Sequence, residues 1–125
     1  MSSLSNLKVL DLTSHLSGPY CAMILADHGA DVVKIEKPND GDQLRKTPPF
    51  QGGESAPFML WNRNKRSVTL DLKDPKDHQM LLKMTEKVDI MIENFKPGTA
   101  SRLGIDYASV SKINPALIYC SISGF

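Results

Sequence analysis

A chain of 125 residues with 41% apolar and 23% charged side chains can enclose one core and has the composition of a single soluble globular domain. Its net charge of +1 excludes the large basic field that nucleic acid requires, and no apolar run approaches the length of a membrane span. Cys21 and Cys120 match neither a C-x-x-C pattern nor a metal spacing, and read as reduced, partly buried thiols of a cytoplasmic protein. The opening residues, Met-Ser-Ser-Leu-Ser-Asn, lack the charged and apolar regions of a secretory leader.

Lys8–Leu12 reads as a first strand that ends in the polar tip Thr13-Ser14-His15-Leu16-Ser17. Gly18-Pro19 opens a helix running through His28, with Cys21, Ile24 and Leu25 on its apolar face and Gly29 as its C-terminal cap. Asp31–Glu36, rich in β-branched residues, is a second strand. The proline- and glycine-rich stretch 37–58 follows neither period and reads as a long surface excursion. Ser67–Leu72 is the third strand, followed by Asp74-Pro75 as helix N-cap and first helical residue. That helix carries Met80, Leu81, Met84 and Val88 on one face. Asp89–Glu93 supplies a fourth strand that breaks into Asn94-Phe95-Lys96, and Pro97 is placed in the first turn of a short helix ending near Gly104. A segment over Asp106–Ile113 sets Tyr107, Val110 and Ile113 at helical spacing, and Leu117–Ile122 closes the chain as a fifth strand.

Short apolar strands alternating with amphipathic helices specify an α/β fold: a doubly wound, mainly parallel sheet of about five strands with flanking helices. Such sheets bind ligands beyond the carboxyl ends of their strands. Those ends carry His15-Leu16-Ser17, Lys37, Asp71-Leu72-Lys73, Asn94-Phe95-Lys96 and Ser121-Ile122-Ser123. Several lysines and a helix N-terminus at one rim suit a polyanion of nucleotide type. The dinucleotide fingerprint, the P-loop and the nucleophile elbow are all absent, which removes support for simple NAD enzymes, ordinary NTPases and that class of hydrolase. His15, His28 and His78 are too scattered for a metal centre, and only His15 stands on a strand-end tip. The basic run Asn62-Arg63-Asn64-Lys65-Arg66 reads as a solvated face preceding a strand, with Phe58 and Trp61 as packing or interface residues.

Several blocks, in this order, resemble the N-terminal part of a family III CoA-transferase, the group that includes formyl-CoA and carnitine CoA-transferases and the α-methylacyl-CoA racemases. They are Val9-Leu10-Asp11-Leu12-Thr13, Ser17-Gly18-Pro19, and Gly29-Ala30-Asp31-Val32-Val33-Lys34-Ile35-Glu36. Gly41-Asp42, Asn62-Arg63-Asn64-Lys65-Arg66-Ser67, Glu93-Asn94-Phe95-Lys96-Pro97-Gly98 and Ser121-Ile122-Ser123-Gly124-Phe125 continue the series and cover nearly the whole chain.

The resemblance implies that residues 1–125 are a Rossmann-like domain that binds coenzyme A or acyl-CoA as substrate, with no covalently bound cofactor. The matching positions are Leu16 and Ser17, Lys37, Leu70, Asp71, Leu72, Lys73, Asn94, Phe95, Lys96 and Arg102, with His15 bordering the thioester end. Lysines and Arg102 would neutralise phosphates, while Leu16, Leu70 and Phe95 would line the adenine or pantetheine. Family members are much longer and form interlocked homodimers; their catalytic aspartate (transferases) or histidine and aspartate (racemases) lies further downstream. Asp11, Asp71 and Asp89 match no catalytic position. Three readings follow: the coenzyme A-binding part of a transferase, the same part of a racemase, or a nucleotide-binding or assembly module without chemistry. A partner nucleic acid or membrane is not expected.

Overall fold

In the computed structural model, which describes residues 2–124, five strands form one parallel sheet. They are β1 (Lys8–Asp11), β2 (Asp31–Glu36), β5 (Lys65–Thr69), β6 (Ile90–Glu93) and β7 (Ile118–Ser121), in the spatial order β5-β2-β1-β6-β7. Counted along the chain this is the order 3-2-1-4-5 of a Rossmann-like sheet, whose direction of winding reverses between β1 and β6. Val9 is in register with Val32 on one side and Ile90 on the other. No helix among the described residues is long and apolar enough to cross a membrane.

Alternate residues of a strand face opposite ways, so a sheet wound on both faces needs apolar side chains at odd and even positions alike. The chain meets this with two cores. Val9, Val32 and Ile92 pack with Ala22, Ala26 and Ala30 beneath α1 (Ser17–Asp27). Leu10, Leu12, Ile35, Leu70 and Met91 face the other way, where Leu81, Ile105, Val110 and Leu117 cover them. Leu81 belongs to α3 (Pro75–Thr85), and Val110 to the single turn α5 (Tyr107–Val110). Alanines, not the expected Ile24, form the buried stripe of α1, because small side chains let the helix lie close to the sheet; Ile24 is 40% exposed. Gly29, at φ 100°, ends α1 as expected: its N–H donates to Ala26 O and that of Ala30 to Leu25 O, the paired bonds of a Schellman cap.

Several local expectations are corrected. Residues 37–58 are ordered by a 3₁₀ turn (Gln43–Lys46), a minimal antiparallel pair of β3 (Phe50–Gln51) and β4 (Glu54–Ser55), and the start of α2 (Ala56–Trp61). Ser55 Oγ caps α2 by accepting from Phe58 N–H, and Arg45 lies 3.8 Å above the Phe58 ring. Trp61 packs edge-on against Tyr20, at 5.3 Å between ring centres. The third main strand begins at Lys65 instead of Ser67 and ends at Thr69, because its pairing with β2 runs from Lys65 opposite Val32 to Thr69 opposite Glu36; Lys65 turns its ammonium inward. Of the face proposed for α3, Leu81 is buried and Met84 and Val88 pack behind it, but Met80 is 50% exposed. Asp74 does cap this helix, accepting from Lys76 and Asp77 N–H. Pro97 lies outside any helix. Thr99 N–H donates to Lys96 O across Pro97-Gly98, with Gly98 at φ 85°, which is a type II turn and not a helical one. The helix beyond it, α4, is the single turn Thr99–Arg102. The segment expected over Asp106–Ile113 is helical only over Tyr107–Val110, and Tyr107 is 58% exposed.

Candidate functional site

The carboxyl ends of β1, β2, β5 and β6 open into one cavity of about 280 Å³. Leu12, Ile35, Leu70, Leu72, Phe95 and Leu103 give it apolar walls, and Lys37 and Lys73 stand at it as exposed cations. Lys37 makes only a loose contact with Asp40, at 4.0 Å, and Lys73 has no carboxylate partner among the described residues. An apolar pocket with a few cations at its mouth can hold a flat or aliphatic group and neutralise phosphates attached to it.

Across the winding reversal a second, shallower cavity of about 470 Å³ is lined by Ser17, Asn94, Phe95, Lys96, Pro97 and the segment 122–124. The sequence-derived set therefore divides. His15, Lys37, Leu70, Asp71, Leu72, Lys73 and Phe95 share the first cavity; Ser17, Asn94, Phe95 and Lys96 share the second. Phe95 is the wall between them. Leu16 and Arg102 line neither: Leu16 is the 55% exposed N-cap of α1, and Arg102 donates to Thr99 Oγ1 on its own turn.

Charge is also built into the walls. Lys34 and Asp42 both line the first cavity and are almost wholly buried, with Lys34 Nζ 2.9 Å from Asp42 Oδ2. Asp42 Oδ2 receives no well-directed hydrogen bond, so this contact is an ion pair. A second buried pair lies under α1, where Lys65 Nζ is 2.8 Å from Asp11 Oδ2 and also donates to Pro19 O and Asn62 Oδ1. Burial pushes the Lys65 ammonium pKa down, against the attraction of Asp11. Lys65 is thus no part of a solvated basic face, and its flanking arginines are paired as well, Arg63 with Asp27 and Arg66 with Asp31.

Glu36, at the end of β2, is buried beside the cavity. Burial alone would raise its carboxyl pKa. Hydrogen bonds from Arg45, the Asp42 N–H and Ser67 Oγ outweigh that and hold it well below its usual 4.5, at about 2. A carboxyl whose pKa is lowered by folding contributes stability that is complete above the unfolded value and disappears as pH falls through the folded one. Glu36 therefore stabilises the fold above about pH 4.5, and that share is lost between there and pH 2. In acid titrations followed by circular dichroism, Glu36→Gln is expected to flatten the stability slope across that window and to lower stability at neutral pH. An unchanged slope would mean that the hydrogen bonds to Glu36 do not distinguish its charged form.

The sequence matches the description of CoA-transferase family III over residues 4–125. The chain belongs to that family. It is 48% identical over 130 aligned positions to the succinyl-CoA:mesaconate CoA-transferase of Haloarcula hispanica, an alignment covering 100% of this chain and 33% of that protein. The human succinyl-CoA:glutarate CoA-transferase is 42% identical across 98% of this chain and 28% of its own length. Among solved structures, a CAIB/BAIF family protein from Brucella suis superposes with a TM-score of 0.93 at 41% identity, over 99% of this chain and 34% of that one. The chain thus spans about a third of the length of the curated relatives it matches.

Within this family III chain the buried residues Lys34, Asp42 and Glu36 are the ones sequence reasoning left without a role. Lys34 lies between Val33 and Ile35 in β2 and Asp42 follows Gly41, and both fall within the blocks that carry the resemblance. The usable signal was a lysine inside a strand that a doubly wound sheet must bury on both faces.

Proposed function

We propose that residues 1–125 form the coenzyme A-binding domain of a transferase that moves coenzyme A between an acyl-CoA and a carboxylic acid. The observation that carries this reading is the apolar cavity with Lys37 and Lys73 at its mouth, in a chain of CoA-transferase family III. Leu70, Leu72 and Phe95 would take the adenine or the pantetheine arm. Lys37 and Lys73, with Lys96 and Arg102 further along the rim, would neutralise the phosphates. His15, where β1 passes into α1, would border the thioester with Leu16 beside it lining the adenine or pantetheine, and Ser17, Asp71 and Asn94 would shape the pocket between these groups.

The carboxylate that attacks the acyl-CoA is assigned outside this stretch. Asp11 is fully buried and engaged by Lys65 and Thr13, Asp71 accepts the Lys73 N–H, and Asp89 accepts the Lys8 N–H at the opposite end of the sheet. The working assembly is read as a cytoplasmic homo-oligomer. The sheet's outer strands leave Val68 37% and Ile118 62% exposed, which is surface suited to being covered by a partner copy.

Calorimetric titration of the protein with coenzyme A tests the reading. Lys73→Ala is expected to weaken binding about tenfold, as loss of one charge-assisted contact does, and raised salt should weaken the wild type as well. Lys37→Ala should act in the same direction. A folded wild type that takes up no coenzyme A, or binding that neither substitution weakens, would sink the proposal; a melting curve on each variant establishes folding.

A further inference from the structure

The loop from β1 into α1 is held by side chains that reach it from distant parts of the chain. Lys34 Nζ, from β2, donates to Thr13 O at 2.8 Å. The Asn94 amide, after β6, accepts from Ser14 N–H at 3.0 Å and donates to Ser14 O at 2.8 Å. Asp42 Oδ1, in the segment after β2, accepts from His15 N–H at 3.2 Å while capping the 3₁₀ turn through Leu44 N–H at 2.9 Å. Four successive backbone polar groups, from Thr13 O to His15 N–H, are therefore each fixed by a side chain from elsewhere. His15 sits at φ 65°, a left-handed conformation that a non-glycine residue keeps only where its surroundings hold it. Thr13, Ser14 and His15 all line the first cavity.

We propose that Asn94, Asp42 and Lys34 are positioning residues whose common task is to fix the Thr13–His15 backbone, and with it the cavity wall, before any ligand arrives. Lys34 and Asp42 neutralise one another, so the clamp adds no net charge to a site that must accept phosphates. Asn94 bridges the ends of β1 and β6 at the winding reversal, so one amide joins the two loops between which the sheet opens. Rigidity established in advance lowers the ordering penalty of binding, so loosening the loop weakens affinity, and the Lys34–Asp42 arm shows this apart from Asn94, which is itself in the expected coenzyme A set. The link to affinity rests on the coenzyme A reading; the fixing of the loop does not.

The experiment is amide hydrogen exchange on the ligand-free protein, followed by calorimetry with coenzyme A. Two variants are used. Asn94→Ala removes both bonds to Ser14. The double substitution Lys34→Met with Asp42→Ser releases Thr13 O and His15 N–H, keeps a capping hydroxyl for Leu44, and leaves no bare buried charge. Each is expected to speed exchange at its own loop amide by about tenfold, Ser14 in the first and His15 in the second, while Leu10 and Met91 in the core keep their protection. Coenzyme A affinity is expected to fall about tenfold in both. Unchanged exchange at Ser14 and His15, or a loosened loop with undiminished affinity, would overturn the proposal. A wild type that binds no coenzyme A overturns the ligand assignment, and the clamp is then decided by exchange alone.

Discussion

Lys34→Met is expected to destabilise the protein by about 3–5 kcal/mol, the range for removing one partner of a buried ion pair. The side chain of Lys34 is 2% exposed and that of Asp42 1%, so neither has water to fall back on. Methionine fills the lysine stem's volume but leaves the Asp42 carboxylate without its counter-charge and Thr13 O without its donor. Most of the expected loss comes from that stranded carboxylate and not from the net worth of the pair, because desolvating two charges offsets much of their attraction. Urea denaturation of Lys34→Met, of Asp42→Leu and of the double variant separates the two contributions. The double variant should lose clearly less than the sum of the two single changes, and a strictly additive result would show that the two groups do not act as a pair.

Gly18→Ala should cost about 3 kcal/mol or more, at the upper end of what overpacking does in a tight core. A Cβ at Gly18 would stand 2.2 Å from Thr13 Cβ and 2.3 Å from Thr13 Cγ2, well inside contact distance. Thr13 cannot move aside cheaply. Its hydroxyl and N–H both donate to Asp11, and its carbonyl holds Lys34. The strain should reach past the helix start to the cavity wall, so coenzyme A affinity is expected to fall together with the melting temperature. The roughly 1 kcal/mol by which alanine exceeds glycine in helix propensity works against this loss and is too small to cancel it. If the variant melted no lower than the wild type, α1 would have to sit further from β1 than described.

The strands and the α1 cap were legible because two periods and one glycine specify them locally. Val9, Leu10, Val32 and Met91 announce buried strands by type alone, and Gly29 announces the end of α1. What could not be read depends on neighbours far along the chain. Lys65 looks like any member of a basic run until Asp11, 54 positions earlier, is found beneath it. Arg45 gives the segment after β2 its order by gripping Glu36 and covering Phe58, neither of which composition reveals. Pro97 misleads because proline suits a type II turn and a first helical turn equally, and only Gly98 at positive φ decides between them. At the candidate site the apolar walls and exposed lysines are visible from strand-end positions, whereas the Lys34–Asp42 pair and the fixed loop are not, since a lysine within a buried strand does not tell which distant group pairs with it.

The sheet order also sets a timetable for synthesis. The central strand β1 gains its first neighbour early, from β2, but its other edge waits for β6, and Lys8 N–H meets Asp89 across 81 positions of chain. At about 5–20 residues per second a ribosome needs roughly 4–16 s to supply those positions. Throughout that interval Val9 and Leu10 stand beside an unpaired edge in the emerging chain, and the hazard of mis-pairing is greatest before the last strands arrive.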